Sequence, residues 1–167
     1  MDEIVNKVAQ SGIITLELDQ WAPKDRIESI DISTVLFQGM VLREKDFRAW
    51  IKEKNWGEFQ GKWVAVHCSA DAIIPHWAWM LIASALTTHQ AIGFFGTPAA
   101  ALEARWKSII HGIDIAPYEN SRVVVKGCSG EAMPQSVYAE VTMRLQPVVK
   151  SIMFGEPCST VPVYKKA

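Results

Sequence analysis

From Trp63 onward, short apolar runs alternate with longer helical stretches: WVAVHC, PHWAWMLIASAL, AIGFFG, TPAAALEARWKSII, RVVVKGC, and then a long helix. Short apolar runs bounded by turn residues read as buried strands, and the longer stretches between them as helices. Repeated strand–helix alternation indicates βαβ units around a parallel sheet. Pro75, Pro98 and Pro134 each fall where a first helical turn begins, a place where the missing N–H costs nothing. The expected fold is therefore α/β, with a mixed, mostly parallel sheet and flanking helices in a single domain over residues 1–167.

The N-terminal third is read as a helix near residues 2–10, strands in ITLELDQW and RIESIDIST, and a third strand in VLFQGMVL. LREKDFRAWIKEKNW puts Leu42, Phe47, Trp50 and Ile51 on one face with charges between them, an amphipathic helix ending near Gly57. The stretch after Pro75 is apolar nearly all round yet too short to cross a bilayer, so it belongs in the core or in a subunit interface. No internal repeat, low-complexity tract or linker is visible.

Charge narrows the partners. With 17 basic and 18 acidic residues intermixed, the net charge of −1 leaves no electrostatic footprint for nucleic acid or an anionic membrane. The start MDEIVNKVAQ has neither the basic nor the apolar region of a signal peptide, and the expected location is the cytoplasm. In that reducing compartment three cysteines imply buried thiols, a reactive thiol or metal ligands rather than a disulfide framework.

Each cysteine stands directly before a serine: His67-Cys68-Ser69, Gly127-Cys128-Ser129 and Pro157-Cys158-Ser159. Cys68 and Cys128 fall at the carboxyl ends of expected strands that share one sheet edge, where open α/β sheets usually bind ligands. Cys158 lies in FGEPCSTVPVYK, a tail punctuated by Gly and Pro that is able to fold back over that edge. Each thiol has a carboxylate nearby: Asp71, Glu131 and Glu156. Convergence of Cys68, Cys128 and Cys158 with Asp71 would make a tetrahedral site for zinc, or would partly ligate iron or an iron–sulfur cluster. His67, His76 and Glu131 stand behind Asp71 as fourth ligands. The bland reading is that each cysteine packs as a small hydrophobe and each serine caps a turn. His89 and His111, near helix ends, are read as capping or surface residues.

Several catalytic classes fail on spacing. A phosphatase C-x₅-R loop would need Arg where the chain has Ile74 and Pro134. The loops SADAIIP and SGEAMP lack the basic residue usual in a rhodanese-type loop, which weakens sulfur transfer. Neither a P-loop nor G-x-G-x-x-G is present. Tyr138, Glu140 and Arg144 are placed to line a pocket, although i,i+4 pairing of Glu140 with Arg144 accounts for the charges.

LREKDFR (42–48), CSADAIIPHWAWM (68–80), KGC (126–128) and KSIMFGEPCSTVPVYKK (150–166) together resemble an uncharacterised bacterial family, the domain of unknown function DUF2480. The resemblance covers the whole chain, and GEPCSTVP is its most specific part. It implies no catalytic residues. It does imply an association with genes of the sulfur-mobilisation pathway that assembles iron–sulfur clusters, and iron–sulfur assembly proteins as partners.

Three functions follow as expectations. The first is a metal-binding accessory protein for iron–sulfur assembly, using the three cysteines and Asp71. The second is a non-catalytic, homodimeric binding module in which the tryptophans and the apolar helix form the interface. The third is a thiol enzyme or sulfur acceptor using Cys128 or Cys68.

Overall fold

The computed structural model describes residues 12–127, 133–156 and 159–167. The helix expected near residues 2–10, together with Cys128, Glu131 and Cys158, lies outside the described residues. The chain packs as two compact units, Lys24–Ala104 and Met1–Pro23 with Arg105–Ala167. The first of these is inserted in the sequence of the second, after strand β1 (Ile13–Glu17).

The inserted unit holds β2 (Glu28–Asp31), α1 (Glu44–Glu53), β3 (Trp63–His67), α2 (His76–Thr88) and β4 (Ile92–Phe95). Its three strands are all parallel and lie in chain order. Alternation along β3 turns Val64 and Val66 to one face, where they join Ile30, Phe47 of α1 and the α2 stripe Ala78, Ile82 and Leu86 in one buried cluster. Each such aliphatic side chain contributes roughly 1.5–3 kcal/mol by leaving water. Phe47, Trp50, Trp56 and Trp77 pack ring against ring at this cluster, and the Trp56 indole N–H donates to the Ile51 carbonyl at 2.7 Å. These tryptophans serve the interior of the unit.

The other unit continues from the second half of α3 (Pro98–Gly112) through β5 (Arg122–Lys126), α4 (Gln135–Leu145), β6 (Ser151–Glu156) and β7 (Ser159–Lys165). Its sheet runs β1-β5-β6-β7, with the first three strands parallel and β7 antiparallel. Pro162 sits in β7, at the sheet edge, where the absent N–H interrupts no central ladder. Val123, Val124 and Val125 are buried, as are Val137, Val141 and Leu145 on α4.

The α/β class and the mostly parallel pairing agree with expectation, while five details differ. The strands form two sheets, so β3 and β5, which lead to Cys68 and Cys128, do not share an edge. VLFQGMVL is a tight turn closed by a single antiparallel bridge, Phe37 to Val41, because Gln38 and Gly39 take positive φ of 51° and 70°. Helix α1 ends at Glu53, and a 3₁₀ turn at Trp56–Phe59 follows it. Helix α2 is buried on one stripe only, with Met80 70% exposed. On α4, Glu140 pairs with Lys107 at 3.0 Å and His111 at 3.1 Å on α3 rather than with Arg144. Arg144 Nη2 instead donates to the His111 and Ile113 carbonyls at the end of α3, where a cation is favoured.

A repeat invisible in the bare sequence emerges from the registers. Adding 59 to the residue numbers converts every β3–β4 pair into a β5–β6 pair: Trp63↔Ile92 becomes Arg122↔Ser151, and Val66↔Phe95 becomes Val125↔Phe154. The same shift carries Pro75 to Pro134 and the buried triplet Ala78, Ile82, Leu86 to Val137, Val141, Leu145. It also carries Gly61 to Asn120, whose φ values of 71° and 55° put both in the left-handed region just before a strand. The first strands correspond as well. Asp31 pairs with His67 as Glu17 pairs with Lys126, and in each case a four-residue 3₁₀ turn follows at once.

Candidate functional site

The carboxyl edge of β2–β3–β4 carries the densest polar geometry among the described residues. The chain leaves β2 at Asp31, whose Oδ1 accepts the Ser33 N–H at 3.0 Å and so caps the 3₁₀ turn Ile32–Val35. The same oxygen accepts the Ser69 N–H at 3.0 Å, and Oδ2 accepts the Ser69 hydroxyl at 2.6 Å. With the Ser69 hydroxyl proton pointed at Asp31, the Ser33 hydroxyl is the donor in its 2.9 Å contact with Ser69 Oγ. Partial burial pushes the Asp31 carboxyl up, but the bonds from Ser69 and Ser33 outweigh it and hold the group well below the usual carboxylate range. The serine after Cys68 therefore anchors the loop leaving β3 to the end of β2. Beside it, His67 Nε2 lies 3.0 Å from Ser29 Oγ.

The anchored loop walls a cavity of about 540 Å³ lined mainly by Val66, His67, Cys68, Ile74, Trp79 and Phe95. Trp79 and Phe95 meet edge to face at 6.1 Å and 81°. Cys68 is half-buried against the core cluster, and its thiol donates to the Ala70 carbonyl at 3.5 Å. Gly96 continues the β3–β4 ladder by donating to the Val66 carbonyl at 2.9 Å. A side chain there would start 2.7 Å from the Phe94 ring. The result is an apolar pocket with one soft sulfur in its wall and hydroxyl and imidazole groups at its rim.

The corresponding edge of β1–β5–β6 is ionic. Lys126 Nζ lies 3.3 Å from Glu17 Oε1 and 3.3 Å from Glu156 Oε2, so one ammonium ties the ends of three adjacent parallel strands. The two carboxylates push the Lys126 ammonium above its ordinary value, while Gln20 and Lys126 draw Glu17 down.

Of the expected metal ligands, Cys68 and Asp71, with His67 and His76 behind them, lie among the described residues. Cys68 is in the pocket wall, and Asp71 and His76 are exposed farther along the loop and at the start of α2. Among the described residues, no group of three or more His, Cys, Asp and Glu side chains is placed to hold a metal ion. His89 caps the end of α2, and His111 pairs with Glu140. The sequence reading missed Asp31, although Asp-x-Ser after a strand is a capping signal. It also missed Trp79 and Phe95.

Fold and site together define an α/β protein with a ligand-sized pocket at the carboxyl edge of a parallel sheet. The chain belongs to the DUF2480 family of proteins of unknown function, whose model matches residues 2–166. No curated protein and no solved structure matches it. Among the described residues no helix is long and apolar enough to cross a membrane.

Proposed function

We propose that the chain is a binding module for a small, largely apolar molecule, held in the Cys68 pocket with the thiol as its soft contact. The observation that carries this reading is the pocket itself: concave, ligand-sized, mostly apolar, and set at the carboxyl edge of a parallel sheet with a few polar groups on its rim. The Asp31–Ser69 bonds support it by holding the loop in place before a ligand arrives, which lowers the ordering cost of binding. Titrating ¹⁵N-labelled protein with indole, an uncharged aromatic probe, should move the amides of 66–74 and 95–97. Shifts confined to other segments, or none at all, overturn the reading.

A second reading, a metal-binding accessory role beside iron–sulfur assembly proteins, draws on one observation. Cys128 and Cys158 follow the ends of β5 and β6 in the sequence, two neighbouring parallel strands whose last residues, Lys126 and Glu156, are ion-paired. In this reading those two thiols are the core of a zinc, iron or iron–sulfur site. Protein purified anaerobically without a metal-affinity tag should then carry near-stoichiometric metal that is lost in Cys158→Ser. Metal-free protein, unchanged in stability by that substitution, counts against it.

A further inference from the structure

We infer that the chain holds two related pockets, one in each copy of its repeated unit and sharing three corresponding walls, and that the second takes the same class of ligand, an uncharged and largely apolar small molecule. The inference extends the reading of the Cys68 pocket and rests on it. Three walls of that pocket are Val66 near the end of β3, Trp79 on the first turn of α2 and Phe95 at the end of β4. The 59-residue shift turns them into Val125, Tyr138 and Phe154, and all three line a second cavity of about 510 Å³ in the other unit.

The aromatic pair is repeated in geometry as well as in position. Tyr138 and Phe154 meet edge to face at 5.7 Å and 87°, as Trp79 and Phe95 do at 6.1 Å and 81°. An edge-to-face pair in the wall of each pocket offers a ligand the same combination of ring face and ring edge. The strand register that sets the pair is also the same, with Val66 opposite Phe95 and Val125 opposite Phe154. Two of the three wall positions carry identical residues, and the third exchanges one aromatic for another.

The remaining walls differ in position as well as in chemistry, since Thr142, Met143 and Ile152 correspond to Ala83, Ser84 and Gly93, which do not line the first pocket. Around the second cavity stand Thr142, Met143 and Ile152, and the Thr142 hydroxyl is already spent on the Tyr138 carbonyl at 2.8 Å. Its described lining thus presents neither a thiol nor an imidazole. Flexible methionine adapts to ligands of varied outline. The second pocket should accordingly discriminate less between apolar ligands than the first, and it should be indifferent to their affinity for sulfur.

The test is the indole titration of the full chain, read at both places and repeated with Ala72→Trp, which fills the first pocket, and Ala139→Trp, which fills the second. Thr97→Trp and Thr142→Trp replace either variant that fails to keep the amide spectrum of the other unit. The expected result is two sets of shifts, at 66–74 with 95–97 and at 125, 138–143 and 152–154, each lost only in its own filled variant. Shifts at the first set alone overturn the second site and leave the Cys68 reading standing. Shifts at the second set alone keep that site and overturn the Cys68 reading. Loss of both sets in Ala139→Trp alone contradicts two separate pockets.

Discussion

The two units use one backbone plan but satisfy the carboxylate at the end of its first strand in different ways. At the end of its first strand the inserted unit has Asp31, satisfied by serine hydroxyl and amide donors. The other has Glu17, satisfied by Lys126, which also reaches Glu156. Apolar positions are kept between the units in kind and burial, whereas the residues at the strand ends are not. Packing tolerates few changes of volume, while groups at a sheet edge are free to change chemistry once the scaffold is stable.

The largest test of the comparison lies in the cores. Leu86 and Leu145 are 1% and 3% exposed at corresponding points of α2 and α4. Leu86→Ala and Leu145→Ala should each cost about 2–5 kcal/mol in denaturant unfolding, within about 1 kcal/mol of one another. A neutral substitution at either site breaks the equivalence.

Next in size is a pair of glycines. Gly155 has φ of +123° and a Cβ there would meet the Ser159 carbonyl oxygen at 2.6 Å, whereas at Gly96 the obstacle is the Phe94 ring, a side chain. Gly155→Ala should therefore cost more than Gly96→Ala, about 1–3 kcal/mol in thermal or denaturant melts.

Asp31→Asn should cost about 1 kcal/mol, since the amide accepts the Ser69 hydroxyl less well than a carboxylate. The Asp31 carboxyl is depressed in the fold, so its contribution is fully present above the unfolded carboxylate pKa of about 3.9 and disappears as pH falls through the lower folded value. The difference between wild type and variant should be flat from neutral pH to about 4 and shrink only in stronger acid.

The smallest effect is expected for Lys126→Met. Its pairs are exposed, and the loss should fade as salt is raised, while the Asp31→Asn difference persists. The Lys126 ammonium is raised in the fold, so what it contributes is present below the unfolded lysine pKa of about 10.4 and is lost as pH climbs through the folded value.

Much of the fold was legible because strand length, helix length and three prolines agreed from Trp63 onward. Strand partnership was not. Nothing in an apolar run of four or five residues says which sheet it joins, and β1 pairs with β5 across an inserted unit. VLFQGMVL misled because a hydrophobic run outweighed Gln-Gly, the pair that takes the left-handed turn. The repeat was hidden by its sparse identities, among them Val64/Val123, Pro75/Pro134 and Phe95-Gly96/Phe154-Gly155. The Cys-Ser pairs hid it further, since the shift that aligns β3, α2 and β4 with β5, α4 and β6 places Cys68 on Gly127. Ser69, read as a turn cap, does more than that, since its bonds to Asp31 hold the loop.

The most direct test of the Cys68 pocket follows that thiol itself. In a Cys128→Ser/Cys158→Ser background, alkylation of Cys68 by N-ethylmaleimide is timed by intact mass with and without saturating indole. Occupation of the pocket should slow the reaction sharply. An unchanged rate under saturating indole would contradict the claim that the cavity beside Cys68 is the binding site.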